Sequence, residues 1–189
     1  MPVSARIEQS TGRPNLKQVS QVQEATRMKN SKKSTPPVIS AVMARDLNRL
    51  QEMIANSADV DALDRDGRTA SHHACIQDDQ DCASALLAAG ADASIADSEG
   101  RTALHFAARN YNGPLIGLLF DAGAKVDAVD CNGNSALANA VFESKGRGEV
   151  IKLLIQSGAD KHMKNKHGVA PMDLARTIAN FDVAKWMEG

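Results

Sequence analysis

Asp97-Ser98-Glu99-Gly100-Arg101-Thr102-Ala103-Leu104-His105 reads as a tight turn running into a helix. The Asp and the Gly mark the turn, where glycine accepts a positive φ. Thr102 stands where a side-chain oxygen caps the following helix. Ala103–Asn110 then reads as a short helix whose Ala107 and Ala108 permit close helix–helix approach. A turn at Asn112-Gly113 leads to Pro114, suited to a first helical turn, and Leu115, Ile116, Leu118, Leu119 and Phe120 give the second helix its apolar surface. Gly123 is placed to end it in a left-handed conformation. The stretch is therefore a unit of turn, helix, turn and helix.

Working outward, the unit recurs. Gly67, Gly100 and Gly133 are 33 residues apart and Gly168 follows 35 later. Gly90, Gly123 and Gly158 keep the same steps, with Ser57 standing 33 before Gly90. Ala74, Ala107, Ala140 and Ala175 share the register, as do Asp64, Asp97 and Asp130. One unit of this size cannot bury its own apolar face, so units must stack. The strings Asp64–Ala70, Gly100–Ala108 and Leu86–Asp92 resemble the ankyrin consensus, and the resemblance covers residues 36–189. It implies an all-α ankyrin-repeat solenoid of about five stacked helix-turn-helix units with short hairpin loops. The units fall at 36–63, 64–96, 97–129, 130–164 and 165–189, the first degenerate and the last a C-terminal cap.

Several positions depart from that pattern. Ser71 replaces a core Leu, Ser57 a helix-ending Gly, and Lys125 an Asp. The fourth unit carries two extra residues, and the glycine-rich, basic segment 142–148 is expected to project from the body.

Residues 1–35 differ in kind. They hold seven Lys/Arg against two acids, which leaves 15 of the 22 basic and 21 of the 23 acidic residues to 36–189. A basic, polar tail thus precedes a mildly acidic body. Its composition predicts disorder or a marginal helix, the latter from the spacing of Leu16, Val19, Val22 and Met28. Only 3% of residues are aromatic although 43% are hydrophobic, which suits close-packed small helices. A net charge of -1 speaks against nucleic acid or a membrane surface as partner. Three irregularly spaced cysteines fit a reducing cytoplasm, and no apolar run is long enough to span a membrane or to form a signal peptide core.

No catalytic constellation, cofactor cradle or metal set emerges. His72, His73, Cys75 and Cys82 cluster in sequence, but without CxxC or HxxxH spacing. His72 aligns with His105, which the resemblance makes a turn-holding residue; His73 aligns with Phe106, and both cysteines with apolar helix sites. Asp78, Asp79 and Asp81 read as a solvated turn before a helix.

The resemblance implies a non-catalytic protein that binds a protein partner through turn tips and first-helix ends, monomeric when free. By register the tips supply Arg65, Arg68, Glu99, Arg101, Asn132, Asn134, Lys166 and His167, and the helix ends Arg109, Asn110, Tyr111, Phe142 and Glu143. Arg and aromatic residues are the usual interface anchors, which favours Arg101, Arg109, Tyr111 and Phe142. The whole is similar to small bacterial ankyrin proteins that act as cytoplasmic immunity proteins. The alternative is an adaptor or translocated effector whose tail directs localisation or recruitment.

Overall fold

The computed structural model describes residues 34–178 and 182–188. The expected state of the tail falls on residues outside this set. Among the described residues, nine α-helices alternate as first and second members of pairs: α1 (Pro37–Met43) with α2 (Leu47–Ala55), α3 (Ala70–Ile76) with α4 (Gln80–Ala88), α5 (Ala103–Arg109) with α6 (Gly113–Asp121), and α7 (Ala136–Glu143) with α8 (Glu149–Gln156). The ninth, α9 (Pro171–Thr177), is followed by a 3-10 turn at Ala184–Trp186 in place of a second α-helix. First helices pack in the order α1, α3, α5, α7, α9, and second helices in the order α2, α4, α6, α8. The result is an all-α repeat solenoid.

Local chemistry sets the helix limits. Asp46, Asp79 and Asn112 each accept a backbone N–H three residues on at 2.9–3.0 Å, capping α2, α4 and α6. The acidic turn at 78–81 thus supplies a helix cap through Asp79. Second helices end at Gly90, Gly123 and Gly158, all with φ between 82° and 95°, and at Ser57, which accepts φ 59° despite its side chain. The core between the two rows is built from Leu50, Leu86, Leu104, Leu115, Leu119, Leu137, Ile151 and Leu154, all fully buried. Ala41, Ala74, Ala107 and Ala140 are also fully buried, so the first helices meet through methyl groups. Ser71 lies in this core at 2% exposure, and its hydroxyl has no hydrogen-bond partner. A buried unsatisfied hydroxyl costs about 1–3 kcal/mol, which adds to the Leu volume lost there.

Two devices join one repeat to the next. His72 Nδ1 accepts the Thr69 backbone N–H at 3.1 Å, which fixes the proton on Nε2, and Nε2 donates to the Arg101 carbonyl of the next repeat at 3.0 Å. His105 repeats this with Thr102 at 3.1 Å and Asn134 at 3.1 Å. The hairpin tips form a second ladder: the N–H groups of Ser98, Cys131 and Lys166 donate to the carbonyls of Asp66, Glu99 and Asn132 at 2.7–2.9 Å. Gly67, Gly100 and Gly133 each face the next tip so closely that a Cβ would lie 2.9–3.1 Å from a backbone nitrogen there, 2.9 Å from Lys166 in the case of Gly133. Two isolated antiparallel bridges, Ala96–Thr102 and Val129–Ser135, close the hairpins.

The segment after α7 departs from expectation. Phe142 and Glu143 complete α7, and the remainder lies against the body. Ser144 is fully buried, the Trp186 indole donates to the Gly146 carbonyl at 3.1 Å, and the Tyr111 hydroxyl donates to the Arg147 carbonyl. A Cβ on Gly148 would lie 2.3 Å from the Trp186 ring, so glycine there is what admits the indole. The extra residues wrap the C-terminal cap instead of projecting.

Burial depresses both His72 and His105 below the ordinary 6.5, against the opposing pull of the carbonyls they bond. The folded state then binds these protons less readily than the unfolded chain. The stability they contribute is complete above 6.5 and is lost as pH falls from there through their folded values. Urea unfolding should therefore show stability falling from about pH 7.5 to about pH 5.5, with a flatter profile in a His72→Gln/His105→Gln variant. A second comparison isolates the tip contact. Gly158→Ala should cost about 1–2 kcal/mol for its left-handed backbone alone. Gly133→Ala should cost distinctly more, because a Cβ there meets the neighbouring tip's backbone at 2.9 Å whereas one on Gly158 meets nothing within 4 Å.

Candidate protein-binding surface

Each hairpin tip is organised by one carboxylate or amide. Asp64, Asp97, Asp130 and Asn165 each accept two N–H groups, from the residues two and four positions on, at 2.8–3.0 Å. This fixes the tip backbone and aims the residue four positions on (Arg68, Arg101, Asn134, Val169) toward the first-helix face. At Asp97 the second carboxylate oxygen goes further: it accepts from Arg101 Nε at 3.1 Å, Arg101 Nη2 at 2.9 Å and Arg68 Nε at 3.3 Å. Burial opposes ionisation of Asp97, but the Arg101 side chain and the backbone N–H groups outweigh it and hold the carboxyl below its ordinary range. The two guanidiniums so gathered lie over the Phe106 ring, at 5.6 Å for Arg68 and 5.2 Å for Arg101.

Around this cluster run two grooves. One, about 230 Å³, lies between α5 and α7 and is lined by Arg101, Phe106, Arg109, Asn139, Phe142 and Glu143, with His105 and Asp130 beneath. The other, about 390 Å³, lies between α3 and α5 and is lined by Arg68, Ile76, Arg101, Phe106, Arg109 and Asn110. Phe142 is 70% exposed, an unusual state for a large aromatic side chain unless something covers it. Arg109 approaches Glu143 only to 3.8 Å.

The structure sorts the expected contact residues. It gathers Arg68, Arg101, Arg109, Phe142 and Glu143 around the grooves, and Asn110 joins them while its amide donates to the carbonyls of Cys75 and Ile76. Arg65, Glu99, Asn132, Lys166 and His167 are exposed along the tips. Asn134 is half-buried, and its amide oxygen accepts from Asn165 at 2.8 Å while its carbonyl accepts from His105, so its polar groups serve the stack. Tyr111 requires correction. It is 9% exposed, with φ 60° in the turn between α5 and α6, its ring beneath Arg147 at 4.0 Å and its hydroxyl on the Arg147 carbonyl. It anchors the segment after α7 and offers a partner almost nothing. Asp97 and Phe106 are the residues that register reading missed as site members. The signal was present, since Arg68 and Arg101 occupy equivalent positions on either side of one conserved-register Asp.

The residues that suggested a metal site have separate duties. His73 bonds Asp64 at 2.7 Å, Cys75 and Cys82 are buried with their thiols pushed up to about 12 by desolvation, and His72 joins repeats. Among the described residues no three His, Cys, Asp or Glu side chains are arranged to hold a metal ion. No helix of the described residues is long and apolar enough to cross a membrane.

The Asp97 cluster is testable against its own repeat. Asp97→Asn should destabilise the fold by about 1–3 kcal/mol in denaturant titration, because it leaves two guanidiniums facing each other without their shared anion. Asp130→Asn should cost less, since Asp130 holds the same two N–H groups but no arginine.

A family model described as ankyrin repeats (3 copies) matches residues 13–97 and 89–165. No curated protein matches the chain. Those spans take in most of the sequence, together with the tips, glycines and histidine ties just described, and the chain belongs to the ankyrin-repeat family.

Proposed function

We propose that this protein is a non-catalytic binding module that holds one protein partner against its hairpin tips and first helices, and that it inhibits that partner by covering it, as an immunity protein does. Ankyrin repeats are generally protein–protein interaction modules. The observation that carries the reading to this face is the exposed Phe142 beside the Arg68–Asp97–Arg101 cluster. An exposed aromatic flanked by arginines is the composition of an interface hot spot. In this reading residues 36–189 form the repeat domain, residues 1–35 a basic tail, and the free protein is a cytoplasmic monomer. The charge segregation between tail and body favours a second role, in which the tail recruits or localises while the repeats hold the target.

The test is affinity capture from native lysate with the full chain and with an Arg109→Glu/Phe142→Ser variant, followed by reconstitution from purified components. One partner bound at one-to-one stoichiometry by the wild type, with at least about tenfold weaker binding by the variant, is the expected result. Equal binding by both would move the site off this face. Removal of residues 1–35 should leave that affinity intact; its loss would favour the adaptor role.

A further inference from the structure

Met43, Ile76 and Arg109 end successive first helices, and Phe142, the next residue in that 33-residue register, is the last but one of α7. Three of the four are large apolar side chains exposed at 52%, 38% and 70%. A repeat protein thus presents a broken apolar stripe with a single cation set into it. That cation is little engaged: the Arg109 side chain is 64% exposed and, among the described residues, its ionic neighbour Glu143 stays at 3.8 Å.

Charge is distributed unevenly about Arg109. Toward α7 the groove contains Asp130 and Glu143. Toward α3 the groove is lined by three guanidiniums, Arg68, Arg101 and Arg109, with no carboxylate in its walls among the described residues and with Ile76 and Phe106 as its apolar surface. The acids nearest these arginines are Asp97, its side chain fully buried beneath and shared by two of them, Asp66, exposed at the tip and 3.6 Å from Arg68, and Glu143, 3.8 Å from Arg109 on the α7 side. Guanidinium presents its N–H donors in a planar fork that matches a carboxylate, and it stacks on aromatic faces as Arg68 and Arg101 do on Phe106.

We propose that the groove between α3 and α5 receives an acidic segment of the partner protein, a Glu or Asp carboxylate seated among Arg68, Arg101 and Arg109 with a neighbouring large apolar side chain on Ile76 and Phe106. This rests on the reading of the tip and first-helix face as the binding surface and adds the chemistry of what it binds. The groove, about 390 Å³, accommodates side chains of this size. Met43 and Phe142 extend the apolar contact to either side along the same register.

The experiment is selection of a displayed random peptide library on the full chain, then affinity measurement of the enriched peptides by fluorescence anisotropy. Four variants are compared, each first shown to keep the wild-type circular dichroism and melting temperature: Arg109→Glu, Ile76→Ser, Phe142→Ser, and Ser84→Arg on the exposed side of α4. The expected result is enrichment of Asp or Glu within a few residues of Phe, Leu or Trp. Affinity should fall at least about tenfold with Arg109→Glu, fall with Ile76→Ser, and be unchanged with Ser84→Arg. Replacing the peptide's acid by Lys should abolish binding to wild type and restore part of it to Arg109→Glu. Peptides that lack acids yet are lost on Ile76→Ser and Phe142→Ser would overturn this inference and leave the binding face standing. Peptides indifferent to those three variants but lost on Ser84→Arg would overturn both. Enrichment of no peptide, or of basic ones, would overturn the inference of an acidic segment.

Discussion

The hydrogen bond from a buried, neutral histidine to the carbonyl of the next repeat is the constraint on which much of this stack depends. Burial keeps His72 and His105 uncharged, and the Thr–His bond within each repeat fixes which nitrogen carries the proton. That proton then reaches the tip of the neighbouring hairpin, at Arg101 or Asn134. A helix start and a hairpin 29 residues away are thereby held in one register. The tip ladder runs parallel to it, and Gly67, Gly100 and Gly133 are what let one hairpin backbone approach the next.

The seams are not alike. The histidine position of the fourth repeat is Ala138, so nothing equivalent reaches the fifth. There the Asn165 amide bonds Asn134, the Lys161 ammonium donates to the Met187 carbonyl, and the Met172 N–H donates to Lys161. At the first seam Arg45 donates to the Gln77 carbonyl while the Gln77 amide donates to Met43. Side chains thus replace the histidine tie at both ends, while the central seams carry it. The grooves lie where the stack is most tightly held, which is where a binding surface gains most from being rigid before the partner arrives.

The same constraint explains why the surface has the composition it does. Positions that face the neighbouring repeat are taken by Ala, Leu, Thr, His and Gly, and little else fits. The side chains after each tip glycine and at one 33-residue register position near the end of each first helix carry less of that duty, although Arg68 bonds Asp97 and Asn134 bonds Asn165 across a seam. They vary as Arg68, Arg101, Asn134 and Val169 in one row, and as Met43, Ile76, Arg109 and Phe142 in the other. Where two arginines fall in adjacent repeats, the Asp97 carboxylate that shapes the tip is near enough to serve both.

The repeat, its helices and its caps could be read from neighbouring residues, because each is set by short-range chemistry: glycine at positive φ, Thr or Asp before a helix, small residues at one period. Arg109 and Phe142 could be placed at helix ends for the same reason. Which of the candidates face outward together depends instead on how the units pack. Tyr111 carries the same register signal as an exposed position, yet the inserted residues after α7 fold back over it and Trp186 closes against Gly148. Equally, nothing local marks Asp97 as a bridge between repeats. Its second oxygen meets Arg68, 29 residues earlier, only once two units are stacked. Backbone turns are written in neighbouring residues, whereas burial and charge sharing are properties of chain segments that meet only on folding.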